Sequence, residues 1–212
     1  MWYSLHQDRW KITRKLMQTY NVKAGNKLFW PVQAKHLMPM PYAGYDFEFS
    51  LSESCWFEGG GGQRFQQNKA LGITGAFSDN NSRAALISWQ VTHVEGVFLA
   101  TGYTNFADKS WVHGKPGITA VPFAAGETVT GKVRIYKRIT EPADFLSLDW
   151  IGEQYEVRYE ILGPRMNSPL MLIHRFDRPW HGLYREIFPW FGGKMPAPQD
   201  MQMQYKLKRI RK

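Results

Sequence analysis

The sequence has 212 residues, a net charge of +9, one cysteine and an aromatic share of 15%. That length suits one large β domain with an ample core, and a single cysteine, Cys55, excludes an internal disulfide framework. No apolar run reaches bilayer-spanning length and no signal-peptide pattern opens the chain, so neither a transmembrane segment nor a secretory leader is predicted.

The charge sits at the ends. Residues 1–30 carry a net +5 from Arg9, Lys11, Arg14, Lys15, Lys23 and Lys27 against Asp8, and the last seven residues carry +5 from Lys206, Lys208, Arg209, Arg211 and Lys212. The rest is close to neutral. A nucleic-acid-binding domain usually carries its basic patch on the folded body, so here nucleic acid would be met only through the ends. Basic ends of this kind are solvated tails or reach onto an acidic partner.

In chain order, residues 1–30 have two readings. Ile12, Leu16 and Tyr20 fall at helical spacing beside Met17, which suits a short amphipathic helix; an extended arm anchored by Trp2, Tyr3 and Trp10 fits equally. Trp30-Pro31 through Pro39-Met40-Pro41 reads as irregular or edge-strand chain, because proline cannot donate to a central ladder. From Tyr45, the residues Tyr45, Phe47, Phe49 and Leu51 alternate with Asp46, Glu48, Ser50 and Ser52, a half-buried strand. Gly59–Gly62 then predicts a flexible or ligand-hugging loop.

Lys69–Thr74 and Arg83–Val91 read as strands separated by the turn residues Ser78-Asp79-Asn80-Asn81-Ser82. Val97–Tyr103 follows the hairpin signal Glu95-Gly96, and Asn105–Gly117 is a loop holding Trp111 and His113. Thr128–Tyr136 and Tyr155–Ile161 alternate strictly; Leu170–Phe176 and Leu183–Phe188 are further strands. The aromatic, proline-rich corner Pro189–Asp200 feeds a last strand, in which Met201, Met203, Tyr205 and Leu207 alternate with Gln202, Gln204, Lys206 and Lys208. About ten short strands without an internal repeat predict a two-sheet sandwich or jelly roll over residues 31–208, between a basic arm (1–30) and a basic tail (209–212).

Asn68-Lys69-Ala70-Leu71-Gly72, Asn81-Ser82-Arg83-Ala84-Ala85-Leu86-Ile87-Ser88-Trp89, Phe188-Pro189-Trp190-Phe191-Gly192-Gly193 and Ala197-Pro198-Gln199-Asp200 occur in that order. In these stretches the chain resembles a group of roughly 200-residue proteins of Bacteroidetes and their tailed phages, which are similar to concanavalin-like jelly rolls. The resemblance covers residues 45–210. Two positions depart from the pattern, with Ser88 in place of a glycine and Gln90 in place of an arginine. The resemblance implies an all-β, concanavalin-like jelly roll of the kind used by lectins, glycosidases and polysaccharide lyases. Its phage members imply a virion or host-cytoplasm setting and virion subunits as partners.

Chemistry is sparse. A retaining glycosidase needs two carboxylates about 5 Å apart, and Asp46 with Glu48 are the nearest pair. They lie opposite an aromatic stripe, which makes them a solvated sheet face. A uronate lyase would draw on Arg83, Asn81, Tyr103, His113, His174 and His181, without a lyase signature. The six histidines have no metal-ligand spacing, so no cofactor is predicted; loop oxygens, for instance those of Asp79, Asn80 and Asn81, are of the kind that suits a structural calcium ion. Recognition remains. Flat aromatic surfaces at Trp89, Tyr103, Trp111, Trp180 and Trp190, with Asn81, Arg83, His113 and His181 as polar neighbours, are the candidate carbohydrate contacts. The basic residues Arg9, Lys11, Arg14, Lys15, Lys206, Lys208, Arg209, Arg211 and Lys212 are the candidate docking contacts. The expected function is therefore a non-enzymatic virion structural or decoration protein. A soluble carbohydrate-binding module is the alternative and a polysaccharide lyase the second.

Overall fold

The alternating stretches form strands, and the strands form two antiparallel sheets. The computed structural model describes residues 16–58, 66–77, 83–108, 110–114, 119–138, 154–176, 182–192 and 195–211. In chain order the strands are β1 (Gln18–Val22), β2 (Met40–Pro41), β3 (Gly44–Leu51), β4 (Asn68–Gly75), β5 (Ala84–Val91), β6 (Val97–Asn105) and β7 (Trp111–His113). They continue with β8 (Val121–Ala124), β9 (Thr128–Arg138), β10 (Gln154–Leu162), β11 (Leu170–Phe176), β12 (Leu183–Glu186) and β13 (Met201–Ile210). Sheet A runs β1-β13-β3-β9-β10-β11; sheet B runs β2-β12-β4-β5-β6-β7, with β8 also paired to β6. Two single 3-10 turns, Ala34–His36 and Glu53–Cys55, interrupt the strands. No helix among the described residues is long and apolar enough to cross a membrane.

The two sheets face one another across a continuous core. Sheet A supplies Tyr45, Phe47, Phe49 and Leu51 from β3, Val157, Tyr159 and Ile161 from β10, and Met203 with Tyr205 from β13. Sheet B answers with Leu71, Ile73, Ile87, Trp89, Phe98 and Ala100. Rings meet edge-on, as at Trp89 with Phe98 (5.8 Å) and Phe49 with Phe123 (5.4 Å), the geometry their quadrupoles favour. Burying each such side chain contributes roughly 1.5–3 kcal/mol. Gly102 marks a tight crossing: a Cβ there would lie 2.7 Å from the Tyr159 ring.

Several polar groups between the sheets are paired. The Tyr45 hydroxyl donates to the Ala85 carbonyl (3.0 Å), and Tyr159 donates to the Tyr103 carbonyl (3.1 Å) while lying 2.7 Å from Thr104 Oγ1. Glu186 of β12, only 2% exposed, receives Arg209 of β13 at 2.9 Å and Lys35 at 3.1 Å. His36 accepts from the Gln33 amide at Nδ1, so its Nε2 carries the proton and donates to the Tyr205 hydroxyl (2.9 Å). Burial, reinforced by the charges of Lys35, Arg185 and Arg209, lowers its pKa to about 4.

The expected strands are present and four more appear. β1 falls inside the segment read as arm or helix: Tyr20 and Val22 point into the core and the strand pairs with β13 from Gln18↔Tyr205 to Val22↔Met201. A sheet edge that supplies partners for five residues outweighs a weak local helical spacing. Phe29 is buried as well, and Asn21 and Trp30 exchange backbone hydrogen bonds of 2.7 and 2.6 Å. The sandwich therefore starts by Gln18, and Ile12, Trp2, Tyr3 and Trp10 lie outside the described residues. At the other end β13 runs to Ile210, so Arg209 belongs to a strand and not to a tail. β2, β7 and β8 are too short, or too interrupted by Pro41 and Pro122, to carry a readable alternation.

Candidate functional site

The outward faces of the two sheets differ. On sheet A it is a solvated ladder of mixed charge. Lys206 stands 3.7 Å from Glu48, Lys132 stands 3.7 Å from Glu160, and Arg134 pairs with Asp46 at 2.5 Å. Asp46 and Glu48 are thus members of that ladder. They line a shallow groove of about 270 Å³ with Lys206, Lys208, Thr130 and Gly131.

Sheet B carries something else. All eight residues of β4 and all eight of β5 are buried, which a strand with one solvated face does not show. Registers set the outward set. Ala85, Ile87 and Trp89 enter the core, so Ala84, Leu86, Ser88 and Gln90 face away from it, with Lys69 opposite Ser88. Tyr103 lies opposite Leu86 and His113 opposite Tyr103, which brings β6 and β7 onto the same face. The closing corner adds Trp190, whose amide and carbonyl exchange hydrogen bonds with those of Lys69 (3.1 and 2.9 Å).

A row of rings results. Trp111 and His113 are 6.5 Å apart, His113 stacks parallel on Tyr103 at 5.8 Å, and the Lys69 ammonium lies 4.2 Å from the Tyr103 centroid and 5.5 Å from that of Trp190. Trp111, at 58% exposure, is its open end; Tyr103 and Trp190 are 5% and 8% exposed. Next to it the side-chain amides form a ladder: Gln67 Nε2 donates to Gln90 Oε1 (2.6 Å) and Ser88 Oγ donates to Gln67 Oε1 (2.7 Å). Ser88 and Gln90 are the two departures from the resembled pattern, and Gln67 joins them into one network.

The electrostatics follow from burial. Lys69 is 5% exposed and donates to the Gln67 carbonyl (2.5 Å); loss of water lowers its pKa to about 8. The Tyr103 phenol is pushed above its usual range for the same reason. His113 Nδ1 lies 2.7 Å from the Gly114 carbonyl, which can only accept, so Nδ1 carries a proton and Nε2 is the ring's remaining polar atom. Flat rings with amides, an imidazole and an ammonium at their edge can hold a sugar or another planar polar ligand. A buried phenol held protonated is a poor general base.

Of the residues expected from the sequence, Tyr103, Trp111, His113 and Trp190 do come together here. Trp89 does not. It is fully buried on the opposite side of β5, edge-on to Phe98 and Phe191, and serves the core. Arg83 stands at the start of β5 with a left-handed backbone (φ 51°) and a buried Nε without a hydrogen-bond partner among the described residues. His174 lies between the sheets, 3.0 Å from Thr104 Oγ1, its pKa lowered to about 4 by burial and by the nearby His113. Asn81, Trp180 and His181 are outside the described residues, as are the calcium candidates Asp79 and Asn80. No three His, Cys, Asp or Glu side chains among the described residues group as metal ligands.

The docking set divides. Lys206 and Lys208 stand on the charged face of sheet A, Arg209 turns inward to Glu186, and Arg211 is exposed. Arg9, Lys11, Arg14, Lys15 and Lys212 lie outside the described residues. Sequence reasoning missed Gln67, Lys69, Ser88 and Gln90 as members of a site. Each pair is spaced i, i+2, a signal that each shares a face; only the β4–β5 register shows that the two pairs meet. No protein-family model matches the chain, and no curated protein is similar to it.

Proposed function

We propose that the chain is a non-enzymatic recognition protein: a jelly-roll-type sandwich that binds glycans on the outward face of sheet B and serves as a structural or decoration subunit, as on a virion. The observation that carries the reading is the row Trp111–His113–Tyr103–Lys69–Trp190, which runs from an exposed ring to a buried ammonium. Rings in series stack on the apolar faces of sugars, and the amides beside them match hydroxyl groups. The strand connections agree with a jelly roll, since the chain leaves sheet A after β3, returns at β9 and crosses again at β12 and β13. The alternative, a free carbohydrate-binding module, shares the face and differs in assembly.

A glycan array probed with the full chain and with Trp111→Ala tests the binding. Bound glycans should lose at least about tenfold in affinity in the variant, as expected when a stacking ring worth about 1.5 kcal/mol is removed. An empty array ends the reading. Association of the full chain, weakened by salt because exposed charges are screened beyond roughly 8 Å at physiological ionic strength, supports a docked subunit over a free module.

A further inference from the structure

Lys69 occupies a place where a lysine is costly. It sits in the middle of the sheet, next to the apolar cluster of Leu86, Ile187, Tyr103 and Trp190, and is 5% exposed. Among the described residues no carboxylate pairs with it: the ammonium has one neutral acceptor, the Gln67 carbonyl, and two ring faces. A methionine of similar length would fill the same space without a charge to desolvate. Glu186 shows how this fold treats another buried charge, with two opposite partners at 2.9 and 3.1 Å. Among the described residues the Lys69 charge has no such compensation, and it lies toward one end of a row of rings whose other end is open at Trp111.

Resting on the glycan reading, we infer that Lys69 recognises a carboxylate on the bound sugar, so that the ligand class is an acidic, uronate-bearing glycan. The carboxylate supplies the missing counter-charge, and its bond to the ammonium is stronger than the one Lys69 makes to an amide carbonyl. Tyr103 and Trp190 flank the amine at 4.2 and 5.5 Å from their ring centroids. The neutral ladder of Gln67, Ser88 and Gln90 lies beside the ammonium on the same face.

The test uses the full chain and calorimetric titration with galacturonate, mannuronate and glucuronate tetramers, their methyl esters, and a sulfated oligosaccharide of equal length. At least one uronate should bind ten times or more tighter than its ester. Lys69→Met should remove that preference, so that uronate and ester bind the variant equally. In the unaltered protein, uronate affinity should fall about tenfold from pH 7 to pH 9 as the amine loses its proton, and ester affinity should not; this arm holds even if Lys69→Met fails to fold. Equal affinity for uronate and ester, a flat pH profile, or equal Lys69-dependent binding of the sulfated sugar overturns the assignment. Neutral glycans held through Trp111 with no uronate bound would overturn it while sparing the glycan reading; no sugar bound at all ends both.

Discussion

The two outward faces belong to the same kind of antiparallel sheet but solve different problems. Sheet A meets water with alternating charges: Glu48, Lys206, Lys132 and Glu160 each sit opposite or beside an opposite sign. Sheet B keeps rings, amides and an ammonium out of water on the side away from the core. A polar network withdrawn from solvent has to be satisfied group by group, and Gln67, Ser88 and Gln90 are. The lesson concerns where selection acts: a solvated face needs only an average charge balance, whereas a buried polar face needs particular partners.

The sharpest way to break the contrast is at Trp190. Trp190→Ala should destabilise the protein by about 3–5 kcal/mol, as for other buried large-to-small changes, read as a fall in the urea midpoint. A loss under 1 kcal/mol would make sheet B's outer face no better packed than sheet A's.

Acid probes the space between the faces. His36 and His174 are held neutral, with pKa values near 4 against an ordinary 6.5. The folded values are depressed, so the unfolded chain binds these protons first. Their contribution is complete above pH 6.5 and is lost as the pH falls toward 4, on the order of 2–3 kcal/mol for each. Urea midpoints from pH 7.5 to 4.5 should fall accordingly, and His174→Gln should flatten the slope by roughly half. An unchanged slope in that variant would remove His174 from the account.

Smaller effects separate the faces directly. Gln67→Ala strands the Gln90 amide and the Ser88 hydroxyl and should cost about 1–3 kcal/mol. Lys206→Ala on sheet A removes one exposed-face pair and should change stability by less than about 0.5 kcal/mol. Thermal melts of the two variants side by side check the ranking, and equal shifts would erase the distinction.

Much of the sandwich was legible because a half-buried strand writes its orientation in every second residue. Phe47 and Phe49, Val133 and Ile135, Met203 and Tyr205 did so without help. β1 was obscured because Leu16 and Tyr20 also satisfy a helical spacing, and only the distant β13 decides between them. The candidate face was half legible. Trp111, His113, Tyr103 and Trp190 stood out as flat polar-tipped side chains, but Trp89 stood out equally and belongs to the core. Which aromatic faces outward depends on strand parity, and parity at β5 depends on pairing with β4, where the register shifts between Lys69 and Leu71. The burial of Lys69 was not legible because it is set by neighbours 20 or 120 residues away.

The pairing of β1 with β13 carries a consequence for how the molecule is made. Thr19 and Gln204, hydrogen-bonded across that pair, are 185 residues apart. At ribosomal rates of about 5–20 residues per second, the first strand waits roughly 10–40 s for its partner to emerge. Throughout that interval Tyr20 and Val22 have no sheet to enter, and the edge of β3 that β13 later covers stands open. Contacts this distant along the chain also slow closure after release. The nascent chain therefore spends its synthesis as an open sandwich, in need of protection from neighbours until its last strand is delivered.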